Sequence, residues 1–126
     1  MMTTISTPNA PAAIGPYSQA KVVNGMVFAS GQIPIVPATG EIAEGDITVQ
    51  AEQVMKNVGE ILRAANCGYE DVVKTTCFLA EMADFGAFNA VYEKYLTGNP
   101  ARSCVAVKTL PKNVLCEVEV IAVQKA

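Results

Sequence analysis

Apolar positions along this chain fall into two periods. Between residues 46 and 67, Ile47, Ala51, Val54, Val58, Ile61 and Ala65 recur at spacings of four and three, one face of a helix. Asp46 suits its N-cap and Gly68 its stop. A second helix is expected from near Asp84. Phe85, Phe88, Tyr92 and Tyr95 keep the helical spacing, and Gly98 and Pro100 end it. Elsewhere the period is two. "KVVNGMVFASGQ" predicts a hairpin, with strands at 21–23 and 26–30 flanking Asn24-Gly25, two residues that tolerate positive φ. "DVVKTTCFLA" (71–80) is β-branched and aromatic and predicts a strand. Two more strands are expected at about 101–107 and 114–124, with "KTLPKN" as the turn between them. "PIVPATGEIAEGD" reads as a loop. There is no internal repeat, low-complexity tract or linker, so residues 1–126 are expected to form one domain.

This order predicts an α+β fold, a mixed and mostly antiparallel sheet with two α-helices packed on one face. The other face is informative. In the last strand Val114, Cys116, Val118, Val120 and Ala122 alternate with Leu115, Glu117, Glu119, Ile121 and Val123, and both sets are largely apolar. A sheet covered on one side only should be polar on the other. The bare face is therefore expected to meet another subunit, the alternative being burial under the chain's own loops.

Composition narrows the function. Apolar residues make up 51% of the chain, enough for a core of Val, Ile, Ala and Leu. The net charge is −3 with no run of Lys or Arg, which disfavours nucleic acid as a partner. Cys67, Cys77, Cys104 and Cys116 form no C-x-x-C pair and His is absent, so no metal is expected. The N-terminus lacks a basic start and an apolar core segment, and no apolar run approaches membrane-spanning length. The expectation is a cytoplasmic protein with free, mostly buried thiols and no membrane contact. Neither G-x-G-x-x-G nor a Walker A motif occurs.

The candidate chemistry centres on "NPARSCVAV", where Arg102 interrupts an apolar strand. If Val107 pairs with Lys112 across the turn, Arg102 falls opposite Glu117, with Cβ atoms about 4.5–5.5 Å apart. An Arg fork fits a carboxylate, and a Glu can orient or deprotonate water. Together they suit a small anion attacked by water. A plain cross-strand salt bridge is the alternative, and a shifted register would substitute Glu119. Cys104 shares the strand face of Arg102. With no His beside it, it is expected to fill space, its N–H remaining available as a donor. Gly31 in "SGQIP" allows close approach of a ligand or serves a bulge. Tyr17 on the "IGPYSQ" loop closes a pocket or caps the core. Asn89 is a ligand contact or an ordinary exposed polar residue.

The segments "NAPAAIGPYSQA", "SGQIP", "VVKTT", "NAVYEKY", "PARSCV", "LPK" and "EVEVIAV", spread from Asn9 to Val123, resemble the reactive-intermediate deaminases of the RidA/YjgF family. The resemblance implies a fold like the trimeric chorismate mutases, a homotrimer with a central β-barrel, and active sites between subunits. It implies hydrolysis of 2-imino acids, released as enamines by pyridoxal-phosphate enzymes such as threonine dehydratase, to 2-keto acids and ammonia, without a cofactor. By position, Arg102 matches the residue that binds the substrate carboxylate and Glu117 the one that positions water. Cys104 matches a backbone donor and Tyr17 a pocket-closing tyrosine. Ser30, Gly31 and Asn89 match pocket-lining positions. Two departures stand out. Ala106 replaces a frequent Glu, and "YLTGNPARS" is shorter than in several relatives. A non-catalytic regulator that binds small carboxylates, a ribonuclease-type translation inhibitor and a structural trimer are the competing readings.

Overall fold

The computed structural model describes residues 1–126. Its strands are β1 (Met2–Ile5), β2 (Ala20–Val23), β3 (Met26–Ala29), β4 (Val72–Leu79), β5 (Ala101–Ala106) and β6 (Cys116–Val123). Its helices are α1 (Ile47–Ala64) and α2 (Phe85–Tyr95). The strands form one sheet in the order β1-β2-β3-β6-β4-β5. Every pairing is antiparallel except β4 with β5. The chain thus has the α+β architecture its patterning predicts.

Local chemistry explains most of the elements. Asn24 and Gly25 both take positive φ, 51° and 76°, which gives the β2–β3 hairpin its tight turn. Asp46 caps α1, its side chain accepting from the Val49 N–H at 3.1 Å. The helix then stops earlier than expected. Asn66, not Gly68, takes the left-handed conformation that ends it, at φ 61°. Gly68 is extended and begins a short 3₁₀ turn at Tyr69–Asp71. β1 was not legible, because "MTTI" shows no clean alternation and its residues stay largely exposed.

The core lies between the helices and one sheet face. The apolar stripe of α1 is buried throughout, as are Cys77 and Leu79 of β4 and Cys116, Val118, Val120 and Ala122 of β6. Fully burying a side chain such as Val54, Ile61 or Leu62 contributes about 1.5–3 kcal/mol each. No helix covers the opposite face, where Phe28, Val105 and Val123 are 43%, 46% and 44% exposed. No helix is long and apolar enough to cross a membrane.

One expectation fails. "KTLPKN" is not a hairpin turn, and β5 and β6 are not neighbours. β4 lies between them, parallel to β5 and antiparallel to β6. The α2 crossover returns the chain alongside β4, so β5 takes one edge of β4 as a parallel partner. The segment 107–115 then carries the chain past β4, and β6 enters between β3 and β4. Leu110 and Val114 are buried within that segment, making it a packed connection rather than a free turn.

Candidate functional site

The strand order separates the two charges that the sequence places together. Arg102 pairs laterally with Thr75, and Glu117 with Phe78. Thr75 is fully buried on the helix-covered face. Along β4, Phe78 falls in the alternate set, on the bare face. Arg102 and Glu117 therefore project from opposite faces of one sheet. A direct pairing between them, or between Arg102 and Glu119, does not exist in the chain.

Arg102 sits on the edge strand, under α2. Its Nη1 donates to Asn89 Oδ1 at 2.7 Å. The guanidinium carbon lies 4.7 Å from the Tyr92 ring centroid and 5.4 Å from that of Phe85. Tyr92 is itself tied to Thr75, its hydroxyl 2.8 Å from Thr75 Oγ1. No carboxylate lies within ion-pair distance of Arg102. The stack and the single bond hold the fork while leaving its other N–H donors unspent. They face a cavity of about 330 Å³ lined by Asn89, Tyr92, Glu93, Asn99 and Pro100.

Backbone polarity adds a donor beside Arg102. In β5 the Val107 N–H donates to Leu79 O, toward β4. N–H groups alternate along a strand, so those of Arg102 and Cys104 point away from β4, out of the free sheet edge. The Cys104 thiol is half-buried, and burial pushes its pKa up, with Arg102 only partly opposing this. Burial also holds the Cys77 and Cys116 thiols up at about 12. None of these thiols is set up as a nucleophile.

Glu117 occupies a second cavity, of about 520 Å³, shared with Tyr17, Ser30, Gly31, Lys112 and Glu119. Its carboxyl accepts no hydrogen bond and pairs with no cation within the chain. Burial, and then the neighbouring Glu119 carboxylate, push its pKa up from the ordinary carboxylate value. The segment 30–32 is pinned beside it. Gln32 and Val118 exchange backbone bonds of 2.8 and 3.1 Å, and the Ser30 hydroxyl donates to Ser18 O at 2.6 Å. Gly31 is required there, because a Cβ at that position would overlap the Glu117 carboxylate. Tyr17 stands 53% exposed at the cavity wall. Behind it, the buried Gln19 side chain bonds to Thr7, Ala10 and Pro11 and holds the N-terminal loop in place.

The predicted site residues thus gather in two groups. Arg102, Asn89 and Cys104 share the sheet edge under α2, while Glu117, Tyr17, Ser30 and Gly31 share the other cavity. The sequence reading gives Phe85 and Tyr92 only as periodic positions of the second helix, with no site role. Phe85, Asn89 and Tyr92 follow at spacings of four and three, so one helical stripe faces the guanidinium. That spacing was the available signal. No group of three or more His, Cys, Asp or Glu side chains converges at metal-ligand distances.

Comparison with known proteins places this geometry. Residues 7–124 match the family described as Endoribonuclease L-PSP. A Lactococcus lactis protein named "Putative regulator AldR" is 55% identical, over 99% of this chain and 100% of its own length. The 2-iminobutanoate/2-iminopropanoate deaminase of Salmonella typhimurium is 50% identical, over 99% of this chain and 100% of its own. The crystal structure of Escherichia coli TdcF with bound serine superposes with a TM-score of 0.92 at 43% identity, covering 98% of this chain and 99% of that one.

Proposed function

The chain belongs to the Endoribonuclease L-PSP family that includes the RidA/YjgF proteins, and we propose that it hydrolyses small 2-imino acids to 2-keto acids and ammonia. We further propose that it acts without a cofactor, in a site shared between two copies of the chain. The carrying observation is the separation of Arg102 and Glu117. Each is an unpaired charge in its own open cavity, and the two lie on opposite sheet faces. Setting the Arg102 edge of one copy against the Glu117 cavity of the next completes a site that neither copy has alone. A homotrimer built this way, with the bare faces lining a central barrel, would also bury Phe28, Val105 and Val123.

In this reading the substrate carboxylate docks in the Arg102 fork, and the Cys104 N–H adds a donor at the sheet edge. Fixing the carboxylate makes the attack nearly intramolecular. Glu117 orients a water and takes its proton as the oxygen bonds to the imine carbon. That proton passes to the imine nitrogen to give the carbinolamine; Glu117 then carries the hydroxyl proton to the amine as the C=O forms and the C–N bond breaks, releasing ammonia and the 2-keto acid. A carboxyl raised above its ordinary value suits both halves of that transfer. Tyr17 closes the cavity over the substrate.

Two comparisons support this. Relatives at about half identity are named as imine deaminases, and TdcF holds serine, an amino acid with the carboxylate that Arg102 would bind. The name of the Lactococcus relative favours a second reading, a regulator that binds small carboxylates through Arg102 and has no use for Glu117. The net charge of −3, with no basic run, argues against an RNA substrate. The deciding assay runs threonine dehydratase on threonine with semicarbazide as the imine trap. Adding the protein is expected to lower trapped product and raise free 2-oxobutanoate. An unchanged partition would favour the regulator.

A further inference from the structure

The Glu117 cavity poses an electrostatic problem. Its wall carries two carboxylates, Glu117 and Glu119, at alternate positions of one strand face, yet the proposed substrate is an anion. One cationic side chain stands in the same wall, Lys112. It makes no ion pair with either carboxylate or with any other group.

The backbone that presents Lys112 is unusual. Lys112 has φ 57° and ψ 20°, and Asn113 follows at φ 55°, two successive non-glycine residues in the left-handed region. A lysine there carries a conformational cost that glycine would avoid. The flanks impose the turn. Leu110 and Val114 are buried on either side, the Asn113 N–H donates to Leu110 O at 3.0 Å, and the Val114 N–H to Pro111 O at 3.3 Å. The side chain itself is exposed and contributes nothing to the core. Its position at the cavity rim is what the strained turn secures.

We propose that Lys112 is a specificity-determining residue, whose unpaired ammonium at the cavity rim draws carboxylate-bearing ligands toward a wall otherwise lined by the Glu117 and Glu119 carboxylates. This rests on the imino-acid reading of the site and assigns one feature of it. Because the α-carboxylate is spoken for by Arg102, the attraction grows with any further negative charge on the ligand. The site should thus favour dicarboxylic 2-imino and 2-keto acids over neutral-tailed ones of equal size. The effect is a field at the rim, so salt weakens it, with a screening length of about 10 Å at 0.1 M.

The test measures binding of 2-oxobutanoate and 2-oxoglutarate by calorimetry at low and high salt, together with imine turnover. Lys112→Met is expected to weaken 2-oxobutanoate several-fold at low salt and 2-oxoglutarate more, with the salt dependence largely lost and kcat retained. Lys112→Arg should keep wild-type affinity. Lys112→Gly should melt at a higher temperature than Lys112→Met while binding as weakly, which separates strain from charge. Equal affinity of Lys112→Met and wild type for both keto acids would overturn the proposal. A wild type that binds keto acids in a Lys112-dependent way but leaves imines untouched would sink the hydrolase reading and keep this one. Normal imine hydrolysis with Lys112-independent binding would do the reverse, and a wild type that binds neither keto acid would overturn this proposal while the imine turnover alone decides the hydrolase reading.

Discussion

Arg102 and Glu117 leave the same sheet from opposite faces, with β4 standing between the strands that carry them. Neither has a counter-ion. Both are partly buried, and an unpaired charge loses solvation free energy to the extent that it is buried. In the proposed assembly a substrate carboxylate and a water satisfy them, across a boundary between copies.

Arg102→Ala should remove the carboxylate anchor. Truncating one partner of a desolvated charge pair costs about 2–5 kcal/mol, so kcat/KM should fall by at least about 30-fold. The fold should survive, since within the chain Arg102 makes one side-chain bond and two ring stacks. Steady-state kinetics alongside a thermal melt would check both. Full activity in a folded variant would contradict the anchoring role.

Glu117→Gln should lower kcat far more than it weakens binding of a 2-keto acid, because its proposed role is to position water rather than to hold the ligand. A strong loss of keto-acid affinity at normal turnover would contradict that.

The pH dependence follows from the same carboxyl. Burial first and Glu119 second raise the Glu117 pKa, and the ionised form is the one that accepts a proton from water. The acid limb of kcat/KM should therefore lie above the ordinary glutamate range, with activity lost as pH falls through it. Glu119, Lys112 and Tyr17 share this cavity. Glu119→Gln removes one raising cause, so the limb should move to lower pH. A limb that stays in place or moves upward in Glu119→Gln would show that Glu119 does not act on Glu117.

Mixing the two inactive variants tests whether the site is shared. In a randomly reassembled trimer of Arg102→Ala and Glu117→Gln chains, each site draws one half from each of two copies, so about a quarter of the sites are intact. Activity should return to about a quarter of wild type on co-refolding at equal amounts. No recovery in mixed trimers confirmed by mass spectrometry would place both groups of a site on one chain.

Gly31→Ala should act through Glu117. The added methyl overlaps the carboxylate, which must turn away or the 30–32 segment must shift. Such overpacking costs about 1–3 kcal/mol, read as a modest drop in melting temperature. Turnover should fall toward that of Glu117→Gln. Unchanged kinetics would mean that Glu117 has room to relocate without consequence.

Much of the fold was legible because the determining forces are local. The stripe from Ile47 to Ala65 is buried as the helical spacing requires. Asn24-Gly25 turns the hairpin, and the alternation in β4 and β6 sorts their residues between faces. Small errors came from competition between equivalent signals. Gly68 and Asn66 could each end α1, and the nearer residue did. Arg102 and Glu117 stand out as charges within apolar strands, but the register expected to join them does not form. For Tyr17, Gly31, Asn89 and Cys104 the residues left a bland alternative open, and only motif resemblance chose between the two.

The sequence by itself determined the buried stripes, both helices and every strand but β1, and which family the chain belongs to, since side-chain periodicity and turn preferences act within a few residues. Only the tertiary structure decided that β6 inserts between β3 and β4, because lateral strand order depends on which edges are free once α2 has delivered β5. That one choice moved Glu117 to the face opposite Arg102. It turned an apparent salt bridge into two separate charged cavities.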